Sequence, residues 1–98
     1  MNPTSHLNGL SELPAPERHD EVEHLVVAYF KEALMMTASD ELELDTSFFD
    51  LGLTSLRLGE LRKKLEARTG VDIDATVLFN QPTVGQVVDY LDGKLSDS

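Results

Sequence analysis

The sequence predicts an all-α fold: a small four-helix bundle of three longer helices and one short helix, with a long loop between the first and second. Three observations predict it. Segments 20–36, 55–68 and 84–95 place apolar residues three and four apart, which gathers them on one helix face. Leu42 and Leu44 alternate with acidic residues as a strand would, yet no second convincing strand exists to pair with them. With 98 residues, 41% of them hydrophobic, the chain suits one small domain with a modest core, and helices bury their stripes against one another in such a bundle.

Residues 1–18 hold three of the four prolines, with Asn, Ser and Gly, and predict a flexible tail. Leu7, Leu10 and Leu13 sketch a scrap of docking helix, but Pro14 and Pro16 cut that pattern short. The folded domain is expected over 19–95, with 96–98 frayed. In the first helix, 20–36, Val22, Leu25, Val26, Tyr29, Ala33 and Met36 form the stripe, and Asp20, Glu21 and Glu23 place negative charge at its start. The acidic segment 37–46 is expected to be an ordered loop with Leu42 and Leu44 pinned to the core. It lacks the ordered carboxylates and glycine of a calcium loop.

The second helix, 55–68, buries Leu58, Leu61 and Leu65, and Gly70 suits its left-handed C-cap. Glu60 with Lys64 and Arg62 with Glu66 are expected i, i+4 pairs. Gly59 is out of place, since glycine inside a helix costs roughly 1 kcal/mol against alanine. Close approach of a backbone or a ligand arm would account for it. Val71 to Asp74 are expected to run extended. A short helix follows at 75–80, anchored by Val77, Leu78 and Phe79, and Thr83 caps the last helix. Val84, Val87, Val88, Leu91 and Leu95 give that last helix its stripe.

The net charge of −10 opposes general nucleic-acid binding, which neutralises phosphates with Lys and Arg. No apolar run is long enough to span a membrane, and the N-terminus lacks a signal-peptide layout, so a cytoplasmic setting is expected. There is no Cys, and His6, His19 and His24 are scattered, so neither a metal site nor a thiol nucleophile is expected.

Ser55 stands at the start of the second helix, in the run Ser47-Phe48-Phe49-Asp50-Leu51-Gly52-Leu53-Thr54-Ser55-Leu56. Either Thr54 or Ser55 serves as a helix cap, worth about 1 kcal/mol. A nucleophile elbow would need glycines where Leu53 and Arg57 stand, and no His follows Ser55. No catalytic residue is therefore assigned. A serine in a first helical turn is also well placed to carry a phosphate, because free N–H groups and the helix dipole favour negative charge there.

Phe48 to Leu56 resembles the attachment motif of phosphopantetheine-bearing carrier proteins, and Leu78-Phe79-Asn80-Gln81-Pro82-Thr83-Val84 resembles the segment before their final helix. The likeness extends over about 21–95. Leu53 and the Phe-Phe-Asp-Leu-Gly-Leu context look like acyl carriers of the polyketide-synthase type. The resemblance implies that Ser55 carries 4'-phosphopantetheine, donated from coenzyme A by a phosphopantetheinyl transferase. It further implies a non-catalytic, monomeric carrier that presents acyl thioesters to an acyltransferase, a ketosynthase or other biosynthetic enzymes. A peptidyl or aminoacyl carrier is the nearest alternative, and an acidic helical interaction module is the one from another class. Met1 and the tail favour a free-standing chain over an excised domain.

Two departures from the family pattern stand out. Thr54 occupies the place of the usual Asp, which removes a charge beside the serine. The second helix is basic, with Arg57, Arg62, Lys63, Lys64 and Arg68. Thr54, Leu56, Arg57 and Leu53 are the expected partner contacts. Arg57 is expected to face the phosphate or a partner enzyme, Leu53 to be partly buried, and Leu56 to be either core or exposed contact.

Overall fold

The computed structural model describes residues 9–96. A 3-10 turn, Gly9–Glu12, precedes four α-helices: α1 (Ala15–Ala33), α2 (Ser55–Thr69), α3 (Ala75–Asn80) and α4 (Val84–Ser96). α1 packs most extensively on α4 and next on α2, and the 3-10 turn rests on α1 and α4. The expected bundle of three longer helices and a short one is therefore present, with the long loop between α1 and α2.

The boundaries of the first helix differ from the sequence reading. Pro14 and Pro16 start α1 instead of interrupting a helix. Pro14 is the N-cap, with φ −55° and ψ 149°, and Pro16 lies in the first turn, where a missing N–H costs nothing. The expected tail therefore ends too late in the sequence. Leu10 packs against the core, and Arg18 donates from Nε to Asp92 Oδ1 of α4 at 2.8 Å. Leu7 and the rest of the proposed tail before Gly9, with residues 97–98, lie outside the described residues.

The other end of α1 falls short of Met36. Met36 N–H donates to Lys31 O at 2.8 Å and Met35 N–H to Glu32 O at 3.1 Å, which together close the helix in a Schellman turn. Met35 takes the left-handed position with φ 61°, a role usually given to glycine. The buried stripe is also turned from the expected one. Val22, Val26 and Phe30 are fully buried, while Tyr29 and Ala33 flank them.

The remaining elements follow from their caps. Thr54 accepts from Arg57 N–H at 3.2 Å, Asp74 from Thr76 N–H at 2.9 Å, and Thr83 from Gln86 N–H at 3.2 Å. Gly70 ends α2 with φ 74°. Of the two expected pairs within α2, Arg62–Glu66 forms, but Lys64 reaches Glu32 of α1 at 2.9 Å instead of Glu60. That hydrogen bond with Glu32 raises the Lys64 pKa above its ordinary value.

The long loop is ordered by its attachments. Leu42 and Leu44 pack against the core and Phe48 is fully buried within it. Ser47 and Thr83 form an isolated antiparallel bridge, and Phe48 N–H donates to Pro82 O at 2.8 Å. Gly85 N–H donates to Leu44 O at 2.8 Å, and a Cβ on Gly85 would stand 3.1 Å from that oxygen. The close approach of loop and helix favours glycine there, since a side chain would push on the Leu44 carbonyl.

Candidate functional site

Gly52, Leu53 and Thr54 together aim the start of α2. Gly52 adopts φ 106°, which turns the chain after the aromatic pair. Leu53 then plunges into the core at 4% exposure, and its N–H donates to Phe48 O at 3.0 Å. Thr54 is the N-cap, so the choice between the two hydroxyls is settled in its favour.

Ser55 is the first residue of α2 and is exposed. Its hydroxyl makes no hydrogen bond to any described residue, and the N–H groups of Ser55 and Leu56 find no acceptor among them. These are the orphan donors that every helix start presents. A phosphate on Ser55 Oγ would lie beside them and beside the positive end of the helix dipole. The donor set therefore fits a phosphodiester.

A cleft of about 120 Å³ opens beside Ser55, lined by Leu58, Gly59 and Arg62 of α2 and by Ala75, Leu78 and Phe79 of α3. A Cβ on Gly59 would meet nothing within 4 Å, so no backbone crosses there. Gly59 lines this cleft without filling it. Its far wall is fixed by a clamp. Arg62 Nη1 donates to Glu66 Oε1 and to Ile73 O, both at 3.3 Å, and Glu66 Oε2 accepts from Ile73 N–H at 2.7 Å.

The expected contact residues separate. Leu56 is 77% exposed, so it is not a core residue. Arg57 does not share the Ser55 cleft. It lines a second one of about 120 Å³ between α1 and α2, with Tyr29, Glu32, Glu60 and Lys64 among its neighbours. The cation on the serine's side is Arg62. Phe79 was expected as a core anchor, yet it is 51% exposed and stacks on Phe49 with ring centroids 5.6 Å apart. Its place beside the serine was invisible in a six-residue helix too short to show a period. Among the described residues no group of three or more His, Cys, Asp or Glu could hold a metal ion, and no helix is long and apolar enough to cross a membrane.

The family model described as "Phosphopantetheine attachment site" matches residues 24–91, which include all of α2 and α3. The chain belongs to the phosphopantetheine-attachment family. Members of this family bind 4'-phosphopantetheine. The carrier is 35% identical over 92 residues to the phenolphthiocerol synthesis polyketide synthase type I Pks15/1 of Mycobacterium marinum. It is 33% identical over 93 residues to the erythronolide synthase EryA2 of Saccharopolyspora erythraea. These alignments cover 94% and 95% of this chain but only 4% and 2% of the two synthases. The solved "A1-type ACP domain from module 5 of MLSA1" superposes with a TM-score of 0.76 at 29% identity, over 96% of this chain and 95% of that one.

Proposed function

We propose that this chain is an acyl carrier of polyketide biosynthesis that holds 4'-phosphopantetheine on Ser55. One observation carries the reading. In a chain of the attachment family, Ser55 opens α2 with its hydroxyl exposed and uncommitted to any described residue, because Thr54 has taken the capping role. In the loading step, Ser55 Oγ forms a phosphodiester with the pantetheine-bearing phosphorus of coenzyme A. The pyrophosphate bond breaks, adenosine 3',5'-bisphosphate leaves, and the serine proton passes to the transferase. When bound, the group supplies a long arm with a terminal thiol that carries acyl chains as thioesters.

The chain's own residues do the rest. Thr54 and Leu53 hold the serine's backbone, the free N–H groups of the first turn stabilise the phosphate, and Gly59 leaves room for the arm beside α2. Nothing in this scheme requires the carrier to catalyse a step. It acts as a cytoplasmic monomer that a phosphopantetheinyl transferase loads and that ketosynthases and acyltransferases visit. The test is a mass measurement after incubation with coenzyme A and a phosphopantetheinyl transferase. A gain of one phosphopantetheine, absent in Ser55→Ala, is expected. No gain with several transferases would return Ser55 to the status of an ordinary first-turn residue.

A further inference from the structure

Three large apolar residues are exposed: Met35 at 79%, Leu56 at 77% and Phe79 at 51%. Leu56 and Phe79 stand beside Ser55. Met35 does not line that cleft, and it holds the left-handed position that closes α1, with φ 61°. A Cβ makes that conformation costly, which is why glycine usually occupies it. Glycine would serve the backbone better, and the methionine side chain does not pack against the core. A strained residue that exposes an apolar side chain calls for a contact outside the chain.

Next to Met35 in the sequence, Met36 lines an open, mainly apolar groove of about 440 Å³, with Val27, Ala28 and Lys31 of α1 and Ala38 of the following turn. Lys31 builds this groove. Its Nζ donates to Ala38 O at 3.0 Å and holds the turn beside the helix. Methionine is unbranched and fills irregular apolar gaps. Carboxylates frame both ends of the groove. Asp20 and Glu21 stand one turn before His24, which also lines it, and Asp40 and Glu41 follow Ala38. All four are exposed, and none makes an ion pair with a described residue.

We infer that this groove seats a helix of another protein whose apolar stripe is bordered by Lys or Arg. The charge of the frame chooses among occupants. A second copy of this chain would set the same carboxylates against one another, at a net charge of −10 each. Residues 1–8 contain no Lys or Arg, and an acyl chain has no cation to offer. A helix with basic flanks satisfies the apolar floor and both acidic ends together.

The inference stands independently of the carrier reading, and its test uses the unmodified chain. The probe is a synthetic helical peptide with Leu at i, i+3, i+4 and i+7 and Lys elsewhere. It is titrated into the ¹⁵N-labelled protein. Amide shifts are expected at 27–38, with an affinity that falls as salt rises. The same peptide with Glu in place of Lys is expected not to bind. Met35→Gly is expected to melt higher than the wild type yet bind the peptide about fivefold more weakly, through loss of one apolar contact. A role confined to folding would not move those two readouts in opposite directions. Ala28→Lys, at an exposed position of α1, is expected to weaken binding about tenfold by placing bulk and like charge in the groove. Wild-type affinity in either folded variant, or shifts that avoid 27–38, would overturn the inference. So would a sedimentation coefficient of the wild-type chain alone that rises with concentration and ceases to rise in Met35→Gly, since the occupant would then be a second copy. Loading of Ser55 is read separately by mass, so a failed carrier reading and a failed groove reading give different results.

Discussion

Replacing Gly59 with alanine should make the protein more stable. Glycine in a helix interior is less favourable than alanine by about 0.8–1.0 kcal/mol, because the chain loses more freedom on folding. Collecting that gain depends on the space around the new methyl group. At Gly59 an added Cβ meets no atom within 4 Å, and the position lies within α2, well inside both ends. No packing penalty subtracts from the gain, so Gly59→Ala should gain close to the full ~1 kcal/mol. For a domain of this size that corresponds to a rise of about 4–8 °C in Tm. Urea unfolding followed by circular dichroism is the direct assay, and the midpoint should rise with an unchanged m value. A neutral or destabilising result would show that something closes on this face. The open space beside Gly59 in the Ser55 cleft would then be wrong.

Thr54→Ala should cost about 1 kcal/mol through loss of the bond from Arg57 N–H. Thr54→Asp should keep the cap yet change the rates with transferase or partner enzymes, and unchanged rates with all of them would remove Thr54 from partner choice. Met35→Gly should stabilise the chain by about 1 kcal/mol, because Met35 holds a left-handed φ of 61°; a melt that does not rise would show that its backbone is not strained. Glu66→Ala should cost about 1–3 kcal/mol by freeing the part-buried Ile73 N–H and the Arg62 guanidinium. Amide exchange at Ile73 should speed up as well, and a protected Ile73 would mean that another group holds the far wall of the cleft.

The architecture was readable wherever side chains repeat at helical spacing. α2 and α4 appear in the sequence with nearly their observed limits, because Thr54, Gly70 and Thr83 mark their ends with ordinary chemistry. α1 was read less well. Its start is marked by prolines, which in a polar segment look the same as tail residues, and its end by a methionine in glycine's role. The serine and its capping neighbour were legible as a motif. The cleft was not, since it arises where α3 crosses beside α2, and local sequence says little about which face of a six-residue helix turns outward. Lys64 shows the same limit. Glu60 stands at the favoured spacing, but Glu32 is brought to it only by the packing of α1 on α2.

The bridge from Ser47 to Thr83 has a consequence for synthesis. The loop that aims Ser55 is tied down by Pro82 and Gly85, residues far later in the chain. Closing so long a segment costs entropy, and these attachments cannot form before residues 82–85 are made. A nascent chain that has just released Ser55 from the ribosome therefore still lacks the strap that positions it. The serine emerges early, but its setting is finished only when the beginning of α4 arrives.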